Sequence, residues 1–272
     1  MSEALRSVEV VRVRGGARAA APDRAATEEP LEVRLHGHPF AVIMRTPGAD
    51  RELAAGFLLA ERVITGADGL GTIAHCTEPG AEHPENIVDV SLTDGSPEAV
   101  DRLLAGRRQV TANSSCGMCG RRTIESLASD AAPLEAAWTV PASVIVSLPE
   151  TLRSRQAVFD ETGGLQAAGL FARDGRLVDV AEDVGRHHAV DKIVGRMLMR
   201  EALPLSDYLL CVSGRTSYEI VQKAVFAGIP MVAAVSAPSS LAIDLARELG
   251  VTLVGFIRGD SFNIYAHAER IT

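Results

Sequence analysis

The stretch YLLCVSGRTSYEIVQKAVFAGIPMVAAVSAPSSLAIDLARELGVTLVGFI, residues 208–257, decides the fold. Tyr208 to Val212, Met231 to Val235 and Val251 to Ile257 are apolar runs of strand length. Between them, residues 217 to 226 and 239 to 249 repeat apolar side chains at helical spacing. Strands alternating with helices predict a mainly parallel sheet covered on both faces.

Working outward, Gln166 to Phe171 and Leu177 to Ala181 flank Arg173-Asp174-Gly175 and read as a hairpin, with a helix over 185–200 after it. Pro133 to Pro141 connects this half to a smaller one. There Leu31, Val33 and Leu35 alternate with polar residues, Gly37-His38-Pro39 turns the chain, and Phe40 to Met44 is apolar: a second hairpin. Asp50 is the expected N-cap of a helix carrying Leu53, Phe57, Leu58 and Ile64, and Asn86 to Leu92 alternates as a strand. Residues 97–104 and 122–128 predict short helices on either side of a loop at 111–115. The beginning of the chain, rich in Arg, Ala, Gly and Pro between residues 14 and 30, has no periodic apolar face and is expected to be disordered. The expected organisation is therefore α/β, with a leader at 1–30, a small α/β region at 31–132 and a C-terminal sheet domain at 133–272.

Composition narrows the function. Apolar residues make up 47% of the 272 and charged residues 23%, which is ordinary globular usage. No run approaches the roughly 18 uncharged apolar residues of a membrane span, and no secretory h-region follows the N-terminus, so a cytoplasmic protein without membrane contact is expected. A net charge of −8 argues against sequence-independent nucleic-acid binding. Of the 27 cationic Lys and Arg residues only Lys192 and Lys223 are lysines, a bias that reads as codon usage.

Four cysteines, Cys76, Cys116, Cys119 and Cys211, are too few for a disulfide scaffold, and in a reducing compartment a close pair points to catalysis or metal binding. The pair lies in Ser115-Cys116-Gly117-Met118-Cys119-Gly120-Arg121-Arg122. Flanking glycines leave the sulfurs sterically open, while Arg121, Arg122 and an expected helix start favour thiolate over thiol. Such a pair can bind a metal, cycle as a dithiol or carry a persulfide. Zinc would need two further ligands from His75, Cys76, His187, His188 or Cys211, since there is no second Cys-x-x-Cys. Cys211, in an apolar strand, is expected to be core.

Three further segments sit where strands give way to helices or turns. Glu182-Asp183-Val184-Gly185-Arg186-His187-His188 puts Arg186 and His187 at a helix start, or is simply a helix capped by Asp183. Ser213-Gly214-Arg215-Thr216-Ser217 follows an apolar strand and opens a helix, a ready anion site with an arginine in reach, although it is no Walker loop. Phe256-Ile257-Arg258-Gly259-Asp260-Ser261 leaves the last strand of the series, and could be only a surface turn. Loops at the strand ends of an open α/β sheet are where ligands bind.

Together the cysteine loop, the turn from Glu182 to Lys192 and the loop from Ser213 to Glu219 resemble the formate dehydrogenase accessory sulfurtransferase family (FdhD). Asp50-Arg51-Glu52-Leu53-Ala54-Ala55-Gly56-Phe57-Leu58, Thr162-Gly163-Gly164 and the ending from Gly255-Phe256 to Asn263-Ile264-Tyr265 carry the same resemblance, which runs from about Pro30 to the C-terminus. It implies a three-layer, cytidine deaminase-like sandwich, usually a homodimer. It also implies a sulfurtransferase that takes a persulfide sulfur from a cysteine desulfurase. The acceptor would be the molybdenum (or tungsten) bis(molybdopterin guanine dinucleotide) cofactor, bound as substrate for formate dehydrogenase, with no resident metal. On this reading Cys116 holds the persulfide and Cys119 assists it. Phe256, Ile257, Arg258, Gly259, Asp260 and Ser261 match the cofactor-binding stretch, and Arg186, His187, Ser213, Gly214 and Arg215 are the expected phosphate contacts. Glu182 or Asp183 is a candidate acceptor for the guanine edge. Two positions depart from the family pattern: His188 stands where Asn is usual, and Gln166 where His is usual.

Two other readings compete. A zinc deaminase needs His-x-Glu before Pro-Cys-x-x-Cys, but here His267-Ala268-Glu269 follows the cysteines and Ser115 replaces the proline. A non-catalytic cofactor-binding chaperone would leave the cysteines incidental.

Overall fold

Alternating apolar residues place two faces on each strand of the C-terminal half, and the chain covers both. In the computed structural model, which describes residues 4–93, 95–96 and 131–272, the strands are β7 (Gln166–Ala172), β8 (Leu177–Asp183), β9 (Tyr208–Val212), β10 (Met231–Ala234), β11 (Thr252–Arg258) and β12 (Ser261–Ala266). Their order is β12-β11-β10-β9-β7-β8. Only the β9–β10 and β10–β11 pairings are parallel, while β7–β8, β7–β9 and β11–β12 are antiparallel. The sheet is mixed rather than mainly parallel, because both edges are built by hairpin connections that a strand–helix count does not reveal.

Leu210, Val212, Val232, Ala234 and Leu253 face one core cluster, while Leu209, Cys211, Met231, Ala233 and Val254 face the other. Helices α4 (Arg186–Met199), α5 (Tyr218–Phe226) and α6 (Ser240–Glu248) supply the first face. The second is closed by α2 (Ala142–Arg153) through Ile145, Leu148 and Leu152. The sequence expectations include neither α2 nor its short successor α3 (Ala157–Thr162), although Ile145, Leu148 and Leu152 recur at helical spacing; Pro149 lies inside α2.

The smaller sheet has the order β4-β3-β6-β5, from β3 (Glu29–Leu35), β4 (His38–Arg45), β5 (Leu70–His75) and β6 (Ile87–Leu92). Its hairpin turns at His36 and Gly37, with φ of 50° and 80°; left-handed backbone at both central positions matches the strand twist. Helix α1 (Asp50–Ala60) begins one residue after its cap, Ala49, so Asp50 is freed to bind Arg45 through both carboxylate oxygens, at 3.0 and 2.9 Å.

Helix α1 joins the two halves into one core containing Leu31, Leu53, Ile193 and Leu253 alike. It crosses α4 at glycines. A Cβ on Gly195 would stand 1.8 Å from the Glu52 carbonyl oxygen, and one on Gly56 would stand 2.0 Å from that of Asp191. Gly195→Ala therefore forces the helices apart and should cost about 1–3 kcal/mol, as overpacking does; urea denaturation of the variant against wild type measures it.

The leader corrects one expectation. Leu5–Arg14 (β1) and Ala17–Ala26 (β2) pair residue for residue as an antiparallel hairpin around Gly15 and Gly16, both at positive φ. Val8, Val10, Val11 and Val13 supply β-branched strand preference just before the 14–30 window on which the expectation of disorder rests. Val11 and Val13 stay exposed, and an Arg24–Glu161 ion pair links β2 to α3.

Candidate functional site

At the C-terminal ends of β8 and β9, two loops face each other. Gly185 caps α4 and is followed by Arg186; Ser213, Gly214 and Arg215 lead from β9 toward α5. With Gln166, Val184 and Ser236 they line a cleft of about 530 Å³. Arg186 Nε is buried there without a hydrogen-bond partner, so a donor faces a site that an anion can complete. Both helix starts add positive potential to the same cleft. Gly214 lets the loop pass Gln166: a Cβ there would stand 2.6 Å from Gln166 Oε1.

The sequence-predicted residues divide. Arg186, Ser213, Gly214 and Arg215 come together in the cleft, and Gln166, one of the two departures from the family pattern, lines it with them. His187 does not line it: its ring is buried beneath, at 1% exposure, with Nε2 2.8 Å from Ser217 Oγ and Nδ1 3.2 Å from Glu219 Oε2. The stretch from Phe256 to Ser261 covers the end of β11, the Gly259-Asp260 turn and the first residue of β12. Ile257 is buried, Phe256, Arg258, Gly259, Asp260 and Ser261 are exposed, and none of the six lines the cleft. The two sites touch at one point, where the Phe256 N–H donates to the Ser236 carbonyl at 3.3 Å. Cys116 and Cys119, with the helices expected around them, lie outside the described residues.

Glu182 and Asp183 are already committed. The Glu182 carboxylate accepts from the Val158 and Phe159 N–H groups at 3.0 and 2.9 Å, holding the start of α3. Asp183, fully buried, accepts from the Gly185 N–H at 2.8 Å and the Thr46 N–H at 3.1 Å and pairs with Lys192 at 2.7 Å. Burial pushes its pKa up, but the adjacent His188 ring and the Lys192 charge outweigh that and hold the carboxyl below its ordinary value. The Asp183 oxygens are closed off by these partners, and each Glu182 oxygen already accepts one N–H. His188, the other departure, places Nδ1 3.7 Å from Asp183 Oδ1. It also makes Gly185 obligatory, since a Cβ there would stand 2.3 Å from that nitrogen.

A second buried cluster lies behind His187. Lys223 Nζ is 2.7 Å from Asp191 Oδ1 and 3.2 Å from Glu219 Oε1. Burial raises the pKa of both carboxyls, with Lys223 opposing it. For Lys223, burial works to lower the pKa, but the two carboxylates overcome it and keep the ammonium charged.

The only two lysines of the chain are thus both buried, each clamped by an aspartate beneath the cleft. Codon bias explains the many arginines and not these two. An ammonium on a thin stem fits a closed pocket and offers three divergent donors, as Lys192 does to Asp183, the Thr46 carbonyl (2.8 Å) and the Glu182 carbonyl (3.2 Å); a planar guanidinium does not fit this way. Their rarity was the signal that could have marked them.

Cys211 is core as expected, its thiol pushed up to about 12 by burial. Among the described residues, no group of three or more His, Cys, Asp or Glu is placed to hold a metal, and no helix is long and apolar enough to cross a membrane.

Comparison with known proteins gives a match to the FdhD/NarQ family over residues 26–272. A protein of Streptomyces avermitilis named sulfur carrier protein FdhD is 50% identical over 96% of this chain and 94% of its own length. One of Anaeromyxobacter dehalogenans with the same name is 51% identical over 92% of this chain and 88% of its own. A crystal structure from Desulfotalea psychrophila, assigned as a formate dehydrogenase accessory protein, superposes with a TM-score of 0.77 at 27% identity, covering 98% of this chain and 99% of that one.

Proposed function

Because the chain belongs to the FdhD/NarQ family, we propose that it is a sulfur carrier serving formate dehydrogenase, with Cys116 as the carrying residue. The observation behind this reading is identity of about one half, over more than nine-tenths of the chain, to proteins named for sulfur carriage. Cys116 and Cys119 supply the pair such chemistry needs. In the loading step the Cys116 thiolate attacks the outer sulfur of a cysteine desulfurase persulfide. A new S–S bond forms, the donor's S–S bond breaks, and the donor leaves as thiolate. Arg121 and Arg122 favour the thiolate that begins the step.

The acceptor we assign is the molybdenum or tungsten bis(molybdopterin guanine dinucleotide), cargo rather than resident cofactor. Its phosphates suit the cleft between the two helix starts, where Arg186 and Arg215 offer planar guanidinium donors and Gly214 lets the backbone approach. The turn from Phe256 to Ser261, joined to the cleft through Ser236, is assigned a second contact with the same molecule. Cytoplasmic operation, a homodimer and a cytidine deaminase-like ancestry of the sheet belong to this reading as well.

Intact-mass spectrometry after incubation with a cysteine desulfurase and cysteine tests it. Wild type should gain one sulfur atom, reversible by thiol reductant, and Cys116→Ala should gain none. Wild type without the gain removes the carrier role. A Cys116→Ala protein that still matures formate dehydrogenase makes the molecule a non-catalytic chaperone instead.

A further inference from the structure

Ser217 occupies the N-cap of α5, where a serine hydroxyl ordinarily accepts from the first-turn N–H groups. Here no side chain caps that start. The hydroxyl turns instead to His187 Nε2, at 2.8 Å, and the opposite ring nitrogen lies 3.2 Å from Glu219 Oε2, within ion-pair distance but out of hydrogen-bond alignment. Glu219 is itself fixed by Lys223 at 3.2 Å. The tautomer follows from the charges: Nδ1 beside a carboxylate carries the proton, which leaves Nε2 to accept from the serine. The ring is buried and Ser217 only half-buried, so the serine is the member of the series nearest solvent. Hydroxyl, imidazole and carboxylate at these separations are the signature of an activated nucleophile, recognised by geometry whatever the chain order.

We propose that Ser217, His187 and Glu219 form a nucleophile, general base and orienting carboxylate that cleave esters or thioesters of anionic carriers. The anionic preference comes from Arg215, two residues before the serine, and Arg186, one residue before the histidine. The uncapped first-turn N–H groups of α5 sit beside Ser217, where a developing oxyanion needs donors. In the reaction His187 Nε2 takes the hydroxyl proton, the Oγ–C bond forms and the carrier's C–O or C–S bond breaks. The proton passes from the imidazolium to the leaving alcohol or thiol. Water, activated by the same ring, then releases the acid and restores the serine. This activity does not depend on sulfur carriage.

The test is labelling of the full chain with diisopropyl fluorophosphate, followed by intact mass and peptide mapping. In that reaction the Oγ–P bond forms as the P–F bond breaks and fluoride leaves. One label per chain on Ser217 is expected, absent in Ser217→Ala. Loss of the base in His187→Asn should slow labelling on the order of 10²-fold. Mapping in wild type needs no variant to fold, so a destabilised His187→Asn leaves the test intact. No label at Ser217 in wild type, or a labelling rate unchanged in a folded His187→Asn, overturns the proposal. Hydrolysis of 4-nitrophenyl hemisuccinate should exceed that of 4-nitrophenyl acetate, and Arg215→Ala should erase the difference. Equal rates in wild type overturn the assignment to anionic carriers.

Discussion

Lys223→Met should lose about 3–5 kcal/mol of stability at neutral pH, the range for removing one partner of a buried ion pair. The methionine fills the space of the lysine stem but leaves Asp191 and Glu219 without their shared cation. Both carboxyls already have pKa values raised by burial, and without Lys223 they rise further. A carboxyl with a raised folded-state pKa penalises the fold once the unfolded chain ionises, and the penalty is complete above the folded pKa. The loss should therefore be largest near pH 7.5 and should shrink by pH 5.5, as the folded protein takes up protons that the unfolded chain does not. Urea denaturation at the two pH values reads both the size and the sign. A loss below 1 kcal/mol, or one equal at both pH values, would show that the ammonium does not hold the two carboxylates together. Lys223→Arg is expected to fail too, because a fully buried pocket shaped for an ammonium has no room for the planar fork.

What could be read in advance, and what could not, divides along the range of the interactions. Period-two and helical patterns are local, and they locate β3, β4, β6 to β11, α4, α5 and α6 to within a residue or two, whereas the pattern of α1 runs on to Ile64, past its end at Ala60. The strand-end loops carrying Arg186 and Arg215 are legible for the same reason, since a small-residue run between a strand and a helix has one common use. The crossing of α1 and α4 is not legible, because Gly56 and Gly195 are marked only by each other's backbone, more than a hundred residues away. Antiparallel β7 against β9 is likewise a choice among pairings that local pattern leaves equal. The β1–β2 hairpin was not legible because the valine run at 8–13 pairs with an Arg- and Ala-rich segment that has no strand preference of its own. His187 shows a different limit. Charge and position mark it as a surface ligand, whereas its neighbours Ser217 and Glu219, brought in from the next helix, make it a buried relay. Lys192 and Lys223 were visible as rarities, but their burial becomes apparent only when Asp183 and Asp191 arrive beside them.

Asp183→Asn should cost a similar 3–5 kcal/mol at pH 7, with the opposite dependence on pH. The carboxylate binds the Thr46 N–H, the Gly185 N–H and Lys192, and the amide keeps one acceptor while adding donors that face an ammonium. Lys192 is left as an uncompensated buried charge. The Asp183 pKa is held below its ordinary value because the adjacent His188 ring and the Lys192 charge override burial. Its contribution is therefore full above the unfolded value of about 4 and is lost as pH falls through the lower folded value. Wild type should lose this stability in acid below about pH 4, and Asp183→Asn, having no such proton to take up, should show a flatter acid limb in thermal melts across the same range. Because Thr46 precedes α1 and Gly185 forms the lip of the cleft, the same variant should also weaken pyrophosphate binding measured by calorimetry. Parallel acid limbs for the two proteins would mean that the Asp183 charge is not what ties the small sheet to the cleft. A flattened limb with intact pyrophosphate affinity would keep the charge as a fold element and free the cleft from it.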